Sequence, residues 1–461
     1  MDTKVLPDAI RAARDYTELR TQSNRQHLTR IADGEWVEDR RSATSGASVR
    51  VRRDGRWGFA ASPDTDADAL NALCESARDN ARFLASHHPA SNCTLPRSSA
   101  CGERKFVLPA SEATGAERVE ILRELDARLR RVCEREHRRA LTLRVLEEQK
   151  RLVTSDGAVH RLYLPRCVLK VDLVLEGRDG GRVALCETLG GLGRFEDHFE
   201  DTDAVVARLE TLVVETRRKA EGCTAESGLQ SVVLDCGVSG VLAHEAFGHA
   251  LEADIAAAGS FASDRLGEPL ANEAVTLVDF AHHAFGELCP APVFVDDEGM
   301  DAADVTLLRK GRLAAYLHNK ESAARSGGTA AGNARASTYA GEPLIRMRNT
   351  ALLPGHHSLE ELIGSVERGY FLQRAGNGQS DTNGEFTLGI VQGCEIRNGR
   401  LGRAIRDTTI TGRACDVLGG ASLLSDRLRW QPFATCSKGQ SLPVGIGGPA
   451  IRCRVRIGER R

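Results

Sequence analysis

The chain has 461 residues, with 62 Lys and Arg against 64 Asp and Glu, so a formal net charge of −2 leaves no excess of positive charge for binding a polyanion. Apolar residues make up 41% and charged residues 27%, an ordinary globular mixture with length enough for two buried cores. Thirteen cysteines are scattered with no C-x-x-C pair, which excludes a zinc ribbon or a thioredoxin motif and argues against a secreted disulfide scaffold.

The first residues carry no apolar signal core, and no run of about 18 uncharged apolar residues follows, so a reduced cytoplasmic protein without a membrane span is expected. Asp8–Asp15 can open as a short helix. Tyr16–Gln22 and His27–Ile31 read as strands. In Ser45–Ser62, Ala47, Val49 and Val51 alternate with polar residues before Asp54-Gly55 turns the chain into Trp57–Ala61. Asp64–Leu84 and Ala116–Cys133 are amphipathic helices, separated by a polar, proline-containing loop over Ser86–Gly115. Leu141–Thr154, Ala158–Leu164 and Val168–Leu175 read as strands, and Thr202–Ala220 as a third helix. Residues 1–225 thus form an α+β domain, an antiparallel sheet with packed helices. It carries no evident chemistry; His87 and His88 read as a solvated pair in a loop.

Residues 226–461 read as a second, β-rich domain. Val232–Asp235 is a short apolar strand. From Val275 onward, short apolar runs alternate with glycine, Asn383-Gly384 and Asn398-Gly399 mark hairpins, and Ser358–Glu367 is the one helical candidate. Ala256–Gly267 and Ser326–Ser337 are rich in glycine and alanine and are expected as mobile loops near a site. Ala450–Ile457 alternates as a closing strand.

The chemistry gathers in Gly240–Asp254, where His244-Glu245-Ala246-Phe247-Gly248-His249 sets two histidines five apart with a glutamate beside the first. Imidazole nitrogens suit Zn²⁺, and a neighbouring carboxylate can act as base on metal-bound water. Residues five apart diverge by about 140° on a regular α-helix, so both rings reach one metal only if the helix widens. A π-bulge does this, and Gly248 is the easiest place to bend. An irregular metal-binding helix is therefore expected; the alternative is an ordinary buried helix with incidental histidines. A catalytic zinc takes three protein ligands and one open position. Cys436 is the best third candidate, at the head of a glycine-rich segment, with Lys438 close enough in sequence to favour the thiolate. Cys236 could also approach the helix. The pairs His282-His283 and His356-His357 are read as surface or packing residues, and Asp296-Asp297-Glu298 as a turn or, less simply, a Ca²⁺ or Mg²⁺ site.

Together these segments resemble the TldD/PmbA family of metalloproteases, of the catalytic TldD type. The family's HExxxH stands as His244, Glu245 and His249. Its C-terminal cysteine segment stands as Cys436 to Gln440, though here Lys438 and Gly439 are adjacent. Further family-like stretches are Asp296–Gly299, Gly332–Arg335, Tyr339, Pro343–Thr350 and Gly376–Asp381, in the expected order. The resemblance implies a zinc metallopeptidase in which His244, His249 and Cys436 hold Zn²⁺. Glu245 then acts as general base for zinc-bound water attacking peptide bonds of short or unfolded peptides. It implies a homodimer, or a heterodimer with a PmbA/TldE-type chain, around an enclosed chamber. It also suggests a substrate strand lying beside glycine-rich segments, with Gly378, Gln379, Gly445 and Gly447 as the residues expected to bind it. Two other readings stay open: an amide hydrolase tailoring a peptide-derived natural product, and a non-enzymatic regulator of the gyrase-modulator type. The intact His244-Glu245-His249 set favours the enzyme, and no nucleic-acid motif is present.

Overall fold

The computed structural model describes residues 10, 15–87, 93–100, 102–133, 137–176 and 181–458. Most of the short helix expected at residues 8–15, and His88, lie outside these. The architecture is α+β.

Seven strands form the N-terminal sheet: β1 (Tyr16–Ala32), β2 (Glu35–Arg53), β3 (Arg56–Ser62), β4 (Gly102–Val107), β5 (His137–Thr154), β6 (Ala158–Glu176) and β7 (Arg182–Leu192). The order is β3-β2-β1-β5-β6, with β4 and β7 both paired to β6. Two expected strand pairs prove to be single long strands. β1 runs unbroken through the polar Ser23–Gln26, because the ladders to β2 and to β5 both continue through it, Ser23↔Ser45 on one edge and Ser23↔Gln149 on the other, and satisfy its main chain. β6 runs through Pro165 in the same way. The sheet is antiparallel except for β4, which lies inside the expected loop and pairs parallel to β6. Asp54 and Gly55 both adopt positive φ, as does Asp33-Gly34 one hairpin earlier, the geometry that Asp-Gly accepts in two-residue hairpins.

Three long helices among the described residues cover this sheet. In α1 (Ala67–His87), Leu70, Leu73, Cys74, Ala77 and Ala81 are buried. α2 (Gly115–Val132) starts at a capping box between Thr114 and Glu117 and buries Leu122, Leu125 and Leu129. Asp126 on α2 holds Arg139 of β5 through bonds of 2.8 and 3.1 Å. α3 (Thr202–Ala220) is capped by Asp201 and buries Val205, Leu209, Leu212 and Val213. These are the stripes that helical periodicity indicates.

The C-terminal part is built around two large sheets. β8 (Gly228–Leu234), β12 (Arg368–Ser380), β13 (Glu385–Arg397), β14 (Thr408–Arg413) and β17 (Ile451–Ile457) pair in a closed ring, β12-β8-β17-β14-β13 and back to β12. β9 (Leu277–Phe280), β10 (Val305–Arg309), β11 (Asn349–Leu352) and β16 (Gln440–Gly448) form the second sheet in the order β10-β9-β11-β16, with β15 (Ala434–Lys438) folded back on β16 as a hairpin. The helix α4 (Cys236–Leu242) follows β8 and packs on both β12 and β16. One continuous core, including Leu234, Leu242, Phe247, Met347, Leu388 and Ile446, joins these layers. Helices after residue 254 are short, among them the capped Leu359–Gly364 in the expected place.

One loop expectation changes in part. Residues 327–333 of Ser326–Ser337 lack regular structure and residues 326–329 are exposed, but residues 330–336 are buried, and Asn333 Nδ2 donates to Asp279 and to the Arg346 carbonyl. Asp296-Asp297-Glu298 is indeed a turn, with Asp296 accepting from the amides of Glu298 and Met300. Its other two carboxylates are met by cations of the N-terminal sheet. Arg50 lies 2.9 Å from Glu298 and 3.1 Å from Glu18, and Lys150 lies 3.1 Å from Asp297. The cluster is thus a buried ionic junction between the two parts of the chain. Its charges are already matched by arginine and lysine, which removes the need for a metal ion.

Candidate metal centre

Asp235 caps α4 by accepting from the Cys236 amide. α4 then lies unusually close to β16: a β-carbon on Gly240 would stand 2.9 Å from the Gly447 main chain. At Ala243 the helix widens into a π-turn through Gly248, and then tightens to a 3₁₀ turn over His249–Leu251. The π-turn is the distortion that the five-residue spacing demands. Gly248 serves it by close packing rather than by bending. Its dihedrals are helical, and a β-carbon there would stand 2.0 Å from Met347 Sδ. Phe247 points into the core, edge-on to Phe261.

The two imidazole rings come to 5.3 Å between centroids. Cys436, on β15, brings its Sγ to 3.3 Å from His249 Nε2. One ligand atom from each of His244, His249 and Cys436 lies within 4.8 Å of the others, and this is the one such group of three among the described residues. Zinc bonds of about 2.0–2.1 Å to nitrogen and about 2.3 Å to sulfur put tetrahedral ligand atoms roughly 3.3–3.8 Å apart, so small side-chain adjustments suffice.

His244 makes the strongest local case for a metal. It is 0% exposed, and neither ring nitrogen has a hydrogen-bond partner. A buried orphan of this kind costs free energy that a metal bond would offset. Burial, with His249 and Arg346 nearby, holds this imidazole well below its usual pKa and therefore neutral, the form that ligates. For His249, burial acts downward, but the neighbouring Cys436 thiol and Glu252 carboxylate outweigh it and raise the pKa to about 10. The donor set thus favours a cation at this point, whether proton or metal.

Glu245 Oε2 lies 3.9 Å from His249 Nε2. The side chains of Glu245 and His249 are 29% and 23% exposed, so solvent reaches the group from their side. Burial raises the Glu245 carboxyl above the ordinary range, and His249 opposes this. Gly378 and Gln379 line a small crevice with Glu245, Val241 and Ala246, and a β-carbon on Gly378 would touch Glu245 Cγ at 3.6 Å. Ser380 Oγ donates to the Glu245 carbonyl at 2.6 Å and fixes β12 to the π-turn. Gly445 and Gly447 lie in the interior. β-Carbons there would meet Asn349 Oδ1 at 2.4 Å and the Trp430 ring at 2.6 Å.

Lys438 is not beside the thiol. Its ammonium bonds to Glu252, Asp254 and the Ile345 carbonyl. Cys236 packs with its thiol toward the Arg427 carbonyl, and burial pushes its pKa up to about 12. His282 stacks on Phe294. Arg346, missed in the sequence, is fully buried and holds the cysteine hairpin by donating to the carbonyls of Cys436 and Gln440. Glu252 was missed as well, although it lies only three residues after His249.

A π-turn in a β-rich fold thus gathers two histidines, a glutamate and a cysteine into a candidate metal centre. Comparison with known proteins agrees. Residues 227–458 match the PmbA/TldA metallopeptidase C-terminal domain, and residues 17–81 match domain 1 of the same metallopeptidases. A metalloprotease of Methanothermobacter thermautotrophicus is 30% identical over 95% of this chain and 94% of its own length. A metalloprotease TldD homolog of Haemophilus influenzae is 27% identical over 95% and 91%. A zinc metalloprotease TldD homolog of Saccharolobus solfataricus is 30% identical over 57% and 58%. The chain belongs to the TldD/PmbA family of metallopeptidases. In fold it is similar to TldE from Thermococcus kodakarensis, with a TM-score of 0.76 at 18% identity over 96% of this chain and 97% of that one. A candidate modulator of a DNA gyrase from Thermotoga maritima is also similar in fold, with a TM-score of 0.76 at 18% identity over 96% of each chain. No helix among the described residues is long and apolar enough to cross a membrane.

Proposed function

We propose that this chain is a zinc-dependent peptidase of the HExxxH type that hydrolyses peptide bonds in short or unfolded peptides. The observation that carries the reading is His244, buried with both nitrogens unpartnered and within 4.8 Å of the ligand atoms of His249 and Cys436. Zinc held there would supply Lewis acidity and lower the pKa of a water to about 7. His244 and Cys436 approach from the buried side, and His249 and Glu245 stand at the open side. The raised pKa of Glu245 suits a general base: its carboxylate takes a proton from the attacking water and returns it to the leaving amine. Gly378 and Gln379, beside Glu245, are the segment against which a substrate backbone would lie. Gly445 and Gly447 act at one remove, Gly445 by admitting the Asn349 side chain and Gly447 by letting β16 pack closely on α4 and Trp430.

The sequence resemblance supports assembly as a homodimer or with a PmbA/TldE-type chain. Native mass alone and with such a chain tests that part. The catalytic reading is tested by Glu245→Gln, assayed on an unstructured peptide with zinc content measured in parallel. Zinc retained and cleavage lost by about 10²-fold or more is the expected result. Cleavage at the wild-type rate would refute the role of Glu245.

A further inference from the structure

His249 faces two neighbours. Its Nε2 looks toward Cys436 Sγ, and its Nδ1 lies 3.6 Å from Glu252 Oε1. Glu252 is 0% exposed, and that Oε1 has no hydrogen-bond partner. A fully buried carboxylate oxygen without a donor is costly, and the His249 Nδ1–H is a donor nearly within reach. The other oxygen, Oε2, accepts from Lys438 Nζ at 2.6 Å. Lys438 stands two residues from Cys436 on the same strand and also bonds Asp254 and the Ile345 carbonyl.

We infer that Glu252 and Lys438 are positioning residues that clamp two metal-ligand segments into one site; the inference rests on the metal-site reading above. Glu252 takes the Nδ1–H of His249, which fixes the tautomer and leaves Nε2 as the ligating nitrogen. Lys438 neutralises Glu252 inside the protein and ties the cysteine hairpin to the chain just after the 3₁₀ turn. The ammonium thereby sets the separation of Cys436 and His249, instead of activating the thiol directly. Carboxylates behind a ligating histidine are general devices, and their removal costs about 10–100-fold in metal affinity.

The test is zinc affinity by chelator competition, with the visible spectrum of the cobalt(II)-substituted protein, for wild type, Glu252→Leu, Glu252→Gln, Lys438→Met and Lys438→Arg. Circular dichroism and thermal unfolding report folding. Glu252→Leu and Lys438→Met should fold and bind zinc about 10–100-fold more weakly. Their thiolate-to-cobalt charge-transfer band should be altered. Glu252→Gln, which keeps an acceptor for Nδ1–H, and Lys438→Arg, which keeps the cation, should recover part of the loss. Wild-type affinity and spectrum in folded Glu252→Leu would overturn the inference while leaving the metal site standing. If Glu252→Leu does not fold, Lys438→Met against Lys438→Arg decides by the same readings. A wild-type protein that binds neither metal would instead refute the metal-site reading itself.

Discussion

Gly248 meets Met347 so closely that a β-carbon on Gly248 would stand 2.0 Å from the sulfur and 3.0 Å from Cε. The π-turn is thus pressed against the segment that carries Arg346 and Arg348. Gly248→Ala should destabilise the protein by about 1–3 kcal/mol through overpacking and should weaken zinc binding, because the turn that aims both histidines must move. Adding Met347→Ala should restore part of both losses. Denaturant unfolding and chelator competition on the two variants check this, and strictly additive effects would count against the contact.

His244 carries the opposite sign. Its unpartnered nitrogens burden the metal-free chain by about 1–3 kcal/mol. His244→Leu should therefore leave metal-free stability unchanged or raised, while abolishing stabilisation by zinc. Wild type should gain about 2.7 kcal/mol at a free zinc concentration 100 times its Kd. Thermal unfolding with and without zinc reads both quantities.

The junction between the N-terminal sheet and the Asp296–Glu298 turn should respond to pH. Burial pushes Glu18 up to about 7; Arg50 pulls it down, and Glu298 pushes it up again. The folded chain therefore holds this proton more tightly than the unfolded one. Stability from this group is complete below the unfolded value near 4.5 and falls as pH rises toward 7. Glu18→Gln should flatten that slope in urea unfolding across this window. Arg50→Met leaves Glu18 and Glu298 without their shared cation and should cost about 3–5 kcal/mol.

Legibility in the sequence followed range. The helical stripes of α1, α2 and α3 and the Asp54-Gly55 hairpin depend on neighbours in the chain, so periodicity and turn chemistry reveal them. The π-turn was legible because the spacing of His244 and His249 permits one metal only on a widened helix. The parallel β4 and the second ladder that keeps β1 unbroken were not, because both are made with strands far away in the chain. The acidic turn could be read as a turn, but its partners Arg50 and Lys150 lie about 150–250 residues earlier and nothing local names them. Proximity in sequence suggests the Cys436 thiol as the partner of Lys438, and as residues i and i+2 of one strand the two do share a face, but the carboxylates of Glu252 and Asp254 take the ammonium instead.

The most direct test of the metal centre is zinc content by plasma mass spectrometry on purified wild type, His249→Ala and Cys436→Ala. The three-ligand site requires about one zinc per chain in wild type and its loss from both variants, with folding retained. Wild type that takes up no zinc, or Cys436→Ala that keeps it in full, would contradict the site as built from His244, His249 and Cys436.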